Sequence, residues 1–226
     1  ARLLSLGAEG TLMIVGENGI DHALVMLAAT AIGIPVAVIT PAYVSAGADP
    51  WAKFGRVLDT IAPARILADD PVAVERALAA LGRTEDVHPL HDLDWLDRQI
   101  AASPAQVDAA EAAVAPDSVA KLLFTSGSTG TARAVIVTQR MMVSNMEALA
   151  LVWPFLAERP PVLVDWLPWS HTFGGNCCFN IAIWFGGQLH VDKGRPTPTL
   201  IGHTVDAIRR HKPTVYFNVP IGYEML

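Results

Sequence analysis

Residues 125–130 read TSGSTG, which places four hydroxyl side chains (Thr125, Ser126, Ser128, Thr129) beside two glycines, Gly127 and Gly130. Glycine lets backbone amides approach a ligand closely, and successive N–H groups in such a turn form a concave nest for an anion. Arg133 follows shortly after and supplies a permanent positive charge. These are the parts of a phosphate cradle. They are also the parts of a hairpin turn, since Ser and Gly are common turn residues and apolar runs flank them on both sides. Composition leaves both readings open. A loop of the GxxxxGK type followed by Ser or Thr does not fit, because no Lys stands after Gly130, and GxGxxG does not match either. A nucleoside-triphosphate phosphatase or kinase would need that Lys; Asp165 after a strand would not suffice.

A second polar stretch, residues 165–176, reads DWLPWSHTFGGN. His171 is either a loop residue satisfied by backbone and water, or a ring placed to orient an anion as a donor or a partly charged group. Trp166, Trp169, Phe173, Phe179, Trp184 and Phe185 cluster around it. Core packing accounts for aromatic residues of this kind, while some can still line a pocket. Asn176 and Asn180 offer hydrogen bonds to a polar ligand group. Cys177 and Cys178 are adjacent, too close for an ordinary disulfide and without CxxC spacing. With nothing nearby to activate them they read as small core residues, and they fit a reducing, cytoplasmic compartment.

Strands and helices must carry these loops. TLMIV (11–15) is an apolar run closed by Gly16, Asn18 and Gly19, and His22 to Ile32 has helical spacing. PVAVIT (35–40) is apolar on both parities, as expected for a strand covered on both faces. AKFGRVLDTIA, ARILADD and PVAVERALAAL continue as helix, strand and helix, with Pro71 suited to a first helical turn. Residues 84–117 are Ala-rich and polar, punctuated by Pro89, Pro104 and Pro116, and read as surface helices or a connection. After Asp117 the alternation is expected to resume as βαβ units: VAKLLFT, AVIVT, a helix near 139–153, PVLVDWL, a helix near 176–185, QLHVD, a helix near 199–211, and TVYFN. The fold class expected is α/β: a doubly wound, mostly parallel sheet with helices on both faces.

Composition narrows the partners. A net charge of −6, from 16 basic against 22 acidic residues, lacks the basic excess that binding a phosphate backbone requires, so nucleic acid is not expected. HALVMLAATAIGIPVAVIT (22–40) imitates a membrane span, but Gly33 and Pro35 divide it, so no membrane partner is expected. The N-terminus carries no secretory signal pattern. Both ends look cut from something longer.

TSGSTG resembles, at every position, the phosphate loop of the adenylate-forming (AMP-binding) enzymes, the group of acyl-CoA synthetases, luciferases and peptide-synthetase adenylation domains. Their pattern continues as PKG and ends in TH. Here Ala132 stands for the usual Pro, Arg133 for Lys, Ala134 for Gly and Gln139 for His. Leu167, Pro168, His171 and Gly174 are similar to a second family motif, LPxxHxxG, in the right order and at a fitting interval. The wider wording, with YFNVPIGYEML at the end, is most similar to the feruloyl-CoA synthetase branch.

The resemblance implies that residues 1–226 are part of a large N-terminal AMP-binding domain, truncated at both ends and without the C-terminal domain. It implies ATP-dependent activation of a carboxylic acid, a hydroxycinnamate such as ferulate, to an acyl-adenylate and then to an acyl-CoA. ATP, CoA and the acid are the implied small-molecule partners, with Mg²⁺ held by residues outside this chain. Thr125, Ser126, Gly127, Ser128, Thr129, Gly130 and Arg133 would bind the nucleotide phosphates. His171 would be the catalytic group, orienting the carboxylate, with Trp169, Phe173, Gly174, Asn176 and Asn180 around the acyl group. This piece alone is expected to be inactive. A fatty or other aryl acid, or a nucleotide-binding module without catalysis, are the competing readings.

Overall fold

The computed structural model describes residues 1–5, 10–45, 50–92, 101–126 and 132–226. The chain divides into two compact units, residues 1–140 and 141–226.

In the first unit, a helical turn α1 (Arg2–Ser5) precedes β1 (Leu12–Val15), α2 (Ile20–Ala31), β2 (Val36–Ile39), α3 (Pro50–Ile61), β3 (Arg65–Ala68), α4 (Pro71–Ala80), β4 (Val87–Pro89), α5 (Pro104–Ala112), β5 (Val119–Ser126) and β6 (Ala132–Thr138). The strands form one sheet in the order β4-β3-β1-β2-β5-β6. β1 pairs in parallel with β2 and β3, β3 with β4, and β2 with β5. Every residue of β1 and β2 is buried. That follows from apolar residues on both parities, which bury two faces only when helices cover both. Met13, Val15, Ile39, Ile66, Ala68 and Phe124 share a core with Phe54, Val57 and Leu58 of α3 and Val74, Ala77 and Leu78 of α4. α2 buries Val25, Met26 and Ala29. The doubly wound α/β architecture is therefore present.

Local chemistry sets the ends of these elements. Asp70 caps α4 by accepting from the Ala73 N–H at 3.0 Å, and Pro71 occupies its first turn, where a missing N–H costs nothing. Gly33 takes φ +80° after α2, a left-handed conformation that other residues resist.

Two expectations change here. Residues 84–117 contribute a strand, β4, as well as α5. β5 and β6 are not linked by a crossover: they pair antiparallel, from Val119↔Thr138 to Ser126↔Ala132. A parallel connection needs a dozen or more residues, and the short interval between these strands allows only a hairpin.

The second unit contains most of α6 (Gln139–Val152), then α7 (Phe155–Glu158), β7 (Val162–Asp165), a π-helical segment (Phe173–Cys178) running into α8 (Phe179–Trp184), β8 (Gln188–Val191), α9 (Ile201–His211) and α10 (Pro220–Glu224). β7 and β8 are parallel, from Val162↔Gln188 to Asp165↔Val191. Met146, Leu156, Leu163, Trp166, Leu167, Cys178, Ile181 and Ala182 form the core. The expected strand TVYFN is reduced to a single bridge, Leu163↔Val215. The Thr214 hydroxyl intercepts the Val162 N–H at 2.9 Å, and Pro220 starts α10 soon after, so no ladder extends.

Two buried cationic side chains lie in the first unit. His22 is 0% exposed, and its Nδ1 donates to the Glu17 carbonyl at 2.9 Å. Burial lowers its pKa to about 4, and burial lowers that of Lys121 to about 8. A group depressed in the folded state stabilises above its unfolded pKa and loses that contribution as the pH falls through its folded pKa. For His22 the window runs from about 6.5 down to about 4 and is worth roughly 3 kcal/mol. Urea unfolding between pH 7.5 and pH 4 should show this loss, and His22→Gln should flatten it; an equal pH slope in both proteins would contradict the assignment.

Candidate active site

In the first unit the TSGSTG stretch begins inside β5. Thr125 pairs with Arg133 and Ser126 with Ala132. Gly127, Ser128, Thr129 and Gly130 lie outside the described residues. The strands hold Arg133 at the head of β6, exposed, and among the described residues no carboxylate is paired with it. The neighbouring departures have local work. Ala134 pairs with Phe124 and packs against the core shared with α3 and α4. Gln139 donates from Nε2 to the Thr30 carbonyl at 3.0 Å, tying the start of α6 to the end of α2.

In the second unit β7 delivers its last residue, Asp165, to the start of the turn that carries His171. Pro168 accepts the His171 N–H at 3.0 Å, and the His171 carbonyl accepts the Gly175 N–H at 2.8 Å. Backbone bonds therefore hold His171 while its side chain stays exposed. Trp169 anchors the turn from below: it is 2% exposed and meets Phe179 edge to face, with centroids 4.8 Å apart. Phe173 remains partly exposed and meets Phe217 at 5.9 Å.

The helix that follows can approach this turn only because of its glycines. A Cβ on Gly174 would lie 2.3 Å from the Leu167 carbonyl oxygen and 2.6 Å from that of Pro168. One on Gly175 would lie 2.3 Å from the Trp169 carbonyl oxygen. Gly174, expected among the acyl-site residues, thus has a packing role that involves no ligand. The helix then runs as a π segment, a form concentrated at functional sites, before becoming α8.

Asn176 and Asn180 project from this helix with unused capacity. Asn176 donates from Nδ2 to the Thr172 hydroxyl at 3.2 Å, yet among the described residues its Oδ1 is buried without a hydrogen-bond partner, as is Nδ2 of Asn180. Buried polar atoms are ordinarily satisfied, so an acceptor and a donor left over on one helix invite a ligand. Both cysteines are free. Cys178 lies in the core, and its hydrogen bond to Cys177, together with burial, raises its pKa, so it keeps its proton.

Sequence reasoning passed over the acidic ends of the parallel strands. Asp165 and Asp192 are both buried, and Asp192 donates its backbone N–H to the Asp165 carbonyl at 2.9 Å. Asp192 also accepts from the Gly194 N–H at 2.8 Å and from the Thr204 hydroxyl at 2.5 Å, which fastens α9 to the end of β8. Asn218 accepts from Trp166 Nε1 at 3.2 Å and from its neighbour's N–H, Val219, at 2.9 Å. The signal was present: PVLVD and QLHVD both end an apolar run in Val-Asp, and ligands of open α/β sheets gather at the carboxyl ends of strands.

The AMP-binding enzyme family matches residues 1–226, the full chain. This chain belongs to that family. A methyl-dioxo-octahydroindenyl-propanoyl:CoA ligase of Mycobacterium tuberculosis is 30% identical over 165 residues, 70% of this chain and 31% of that protein. The adenylation domain of a keto acid-selecting peptide-synthetase module, bound to a keto acyl adenylate, superposes with a TM-score of 0.76 at 20% identity, over 99% of this chain and 40% of that one. A malonyl-CoA ligase holding methylmalonyl-CoA and AMP gives 0.69 at 20% identity, over 99% and 43%. At such identities the structural likeness establishes the fold. The match spans under a third of the curated ligase's length and less than half of each of these two solved chains.

Gly174→Ala and Gly175→Ala should each destabilise the second unit by about 1–3 kcal/mol or more, because backbone must move. Gly202→Ala, in α9 with nothing within 4 Å of its Cβ, should stabilise by about 0.4–1 kcal/mol. Denaturant midpoints would check this; equal shifts at all three sites would refute the close-approach reading.

Proposed function

We propose that the chain is part of the N-terminal AMP-binding domain of an acid–thiol ligase that activates a carboxylic acid with ATP and passes the acyl group to CoA. The observation that carries this reading is the β5–β6 hairpin, which pairs Thr125 with Arg133 and leaves Arg133 exposed, with no carboxylate paired to it among the described residues. In the first step a carboxylate oxygen attacks the α-phosphorus of ATP and pyrophosphate leaves, giving an acyl-adenylate. In the second, the CoA sulfur attacks the acyl carbon and AMP leaves. Hydroxyls and amides of residues 125–130, with Arg133, act on the β- and γ-phosphates by positioning and charge neutralisation, the main contributions available in such transfers. His171 orients the carboxylate. It need not act as a base, since a carboxylate is ionised at neutral pH. Among the described residues no cluster of His, Cys, Asp and Glu fits a metal ion, so no step is assigned to Mg²⁺.

The substrate proposed is a hydroxycinnamate such as ferulate. The spare acceptor on Asn176 and the spare donor on Asn180 support it, because a hydroxyl can answer both. Phe173 supplies an aromatic face nearby in the chain. Among the described residues no helix is long and apolar enough to cross a membrane, and a cytoplasmic location is proposed with the free thiols as support.

In the parent protein, Arg133→Ala should raise the KM for ATP or slow adenylation by about 10-fold or more, the scale of a lost charge-assisted contact. Unchanged pyrophosphate-exchange kinetics would show that the hydroxyls and amides suffice without it. A panel of acids should favour hydroxycinnamates over cinnamate, and Asn176→Leu with Asn180→Leu should erase that preference. Selection of long aliphatic acids would overturn the substrate assignment.

A further inference from the structure

Asp165 takes no part in the chemistry above, yet it sits where the His171 turn leaves the sheet. It is 3% exposed, at the carboxyl end of β7. Its Oδ1 accepts the Leu167 N–H at 3.1 Å, the first hydrogen bond of the turn that ends at His171. Its own carbonyl accepts the Asp192 N–H at 2.9 Å, so the backbone at this point is fixed to the neighbouring strand. Its Oδ2 is buried without a hydrogen-bond partner among the described residues, near Cys178 of the helix that packs against the turn through Gly174 and Gly175. Asp165 therefore touches the strand, the turn and the helix at their junction.

We propose that Asp165 is a positioning residue for acid activation: its carboxylate clamps the Leu167 N–H where strand, turn and helix meet, and through that clamp sets where His171 stands. This rests on the acid-activating reading given above. The groups facing Asp165 are few. Cys178 and Cys177 come from the helix, Asp192 and Arg195 from the end of β8 and the loop after it, and Tyr216 from the segment before α10. Arg195 is engaged elsewhere: it donates to the Gly194 carbonyl at 2.8 Å and stacks over Trp166 at 5.5 Å. Burial, reinforced by Asp192, outweighs the opposing hydrogen bonds and pushes the Asp165 carboxyl up to about 7. The clamp consequently changes strength near neutrality. The ionised carboxylate accepts from the turn as a charge-assisted partner, whereas the neutral acid is a weaker acceptor.

The test uses the parent protein, with pyrophosphate exchange measured from pH 5.5 to 9. Wild type should gain kcat/KM for the acid as the pH rises through about 7. Asp165→Asn keeps an acceptor for Leu167 but cannot ionise, and should hold the acid-side value at every pH. Asp165→Leu should lower kcat/KM for the acid by about 10- to 100-fold, the cost of a small misplacement of a reacting group. The same substitution in a His171→Ala background should cost less than about 3-fold, because the two residues act as one. Hydrogen exchange of the peptide spanning residues 166–171 reads the clamp without turnover and should quicken in Asp165→Leu. The proposal falls if Asp165→Asn keeps the wild-type inflection, if the loss is equal in both backgrounds, or if exchange is unchanged. If Asp165→Leu fails to fold, the Asp165→Asn profile decides. If wild type activates no acid, the functional reading fails, and hydrogen exchange alone decides whether the clamp exists.

Discussion

The second unit depends on backbone packed against backbone. Two adjacent glycines let the helix after His171 rest on the carbonyls of Leu167, Pro168 and Trp169, with room for no side chain between them. A β-strand, a sharp turn and a helix are thereby compressed into one rigid corner. His171 is held by main-chain bonds on both sides while its ring stays open to a ligand. Sites built this way keep their geometry without using the reactive side chain as a structural tie.

The first unit solves a different problem, how to present a polar loop from an apolar sheet. Central parallel strands with two buried faces leave no room for hydroxyls in the sheet interior. The chain answers by leaving the parallel pattern: β6 turns back along β5 as an edge strand, with Arg133 exposed at its head. Ala134 and Gln139, which depart from the family wording, serve the core and the α2–α6 tie respectively. Those two differences have local structural work, a core contact and a hydrogen bond; Ala132 and Arg133 are the departures they leave.

Much of this was legible in the sequence because its physical signals are strong. Short apolar runs marked β1 to β3, period 3.6 marked α2 to α4, and Pro71 marked a helix start that the structure shows capped by Asp70. The hairpin was legible as one of two readings of TSGSTG, while the βαβ pattern wrongly took in AVIVT because apolar runs look alike in either direction; the short interval between Ser126 and Ala132 distinguishes hairpin from crossover. TVYFN looked like a strand because propensity cannot show that Thr214 would capture the Val162 N–H. Gly174 was legible as a motif residue and Trp169 as an aromatic of pocket or core, but their close approach and burial depend on how the turn and the following helix fold back on each other. Asp165 was invisible as a clamp for a related reason: sequence does not show that its side chain turns back to accept the Leu167 N–H.

The central claim is that a carboxylate oxygen becomes bonded to the α-phosphorus of ATP. Supplying the parent protein with a hydroxycinnamate labelled in its carboxyl group with oxygen-18, together with ATP and CoA, and weighing the nucleotide product by mass spectrometry tests it directly. Acyl-adenylate chemistry predicts AMP carrying one labelled oxygen and unlabelled pyrophosphate. ADP with labelled orthophosphate would contradict it, since the acid would then have attacked the γ-phosphorus.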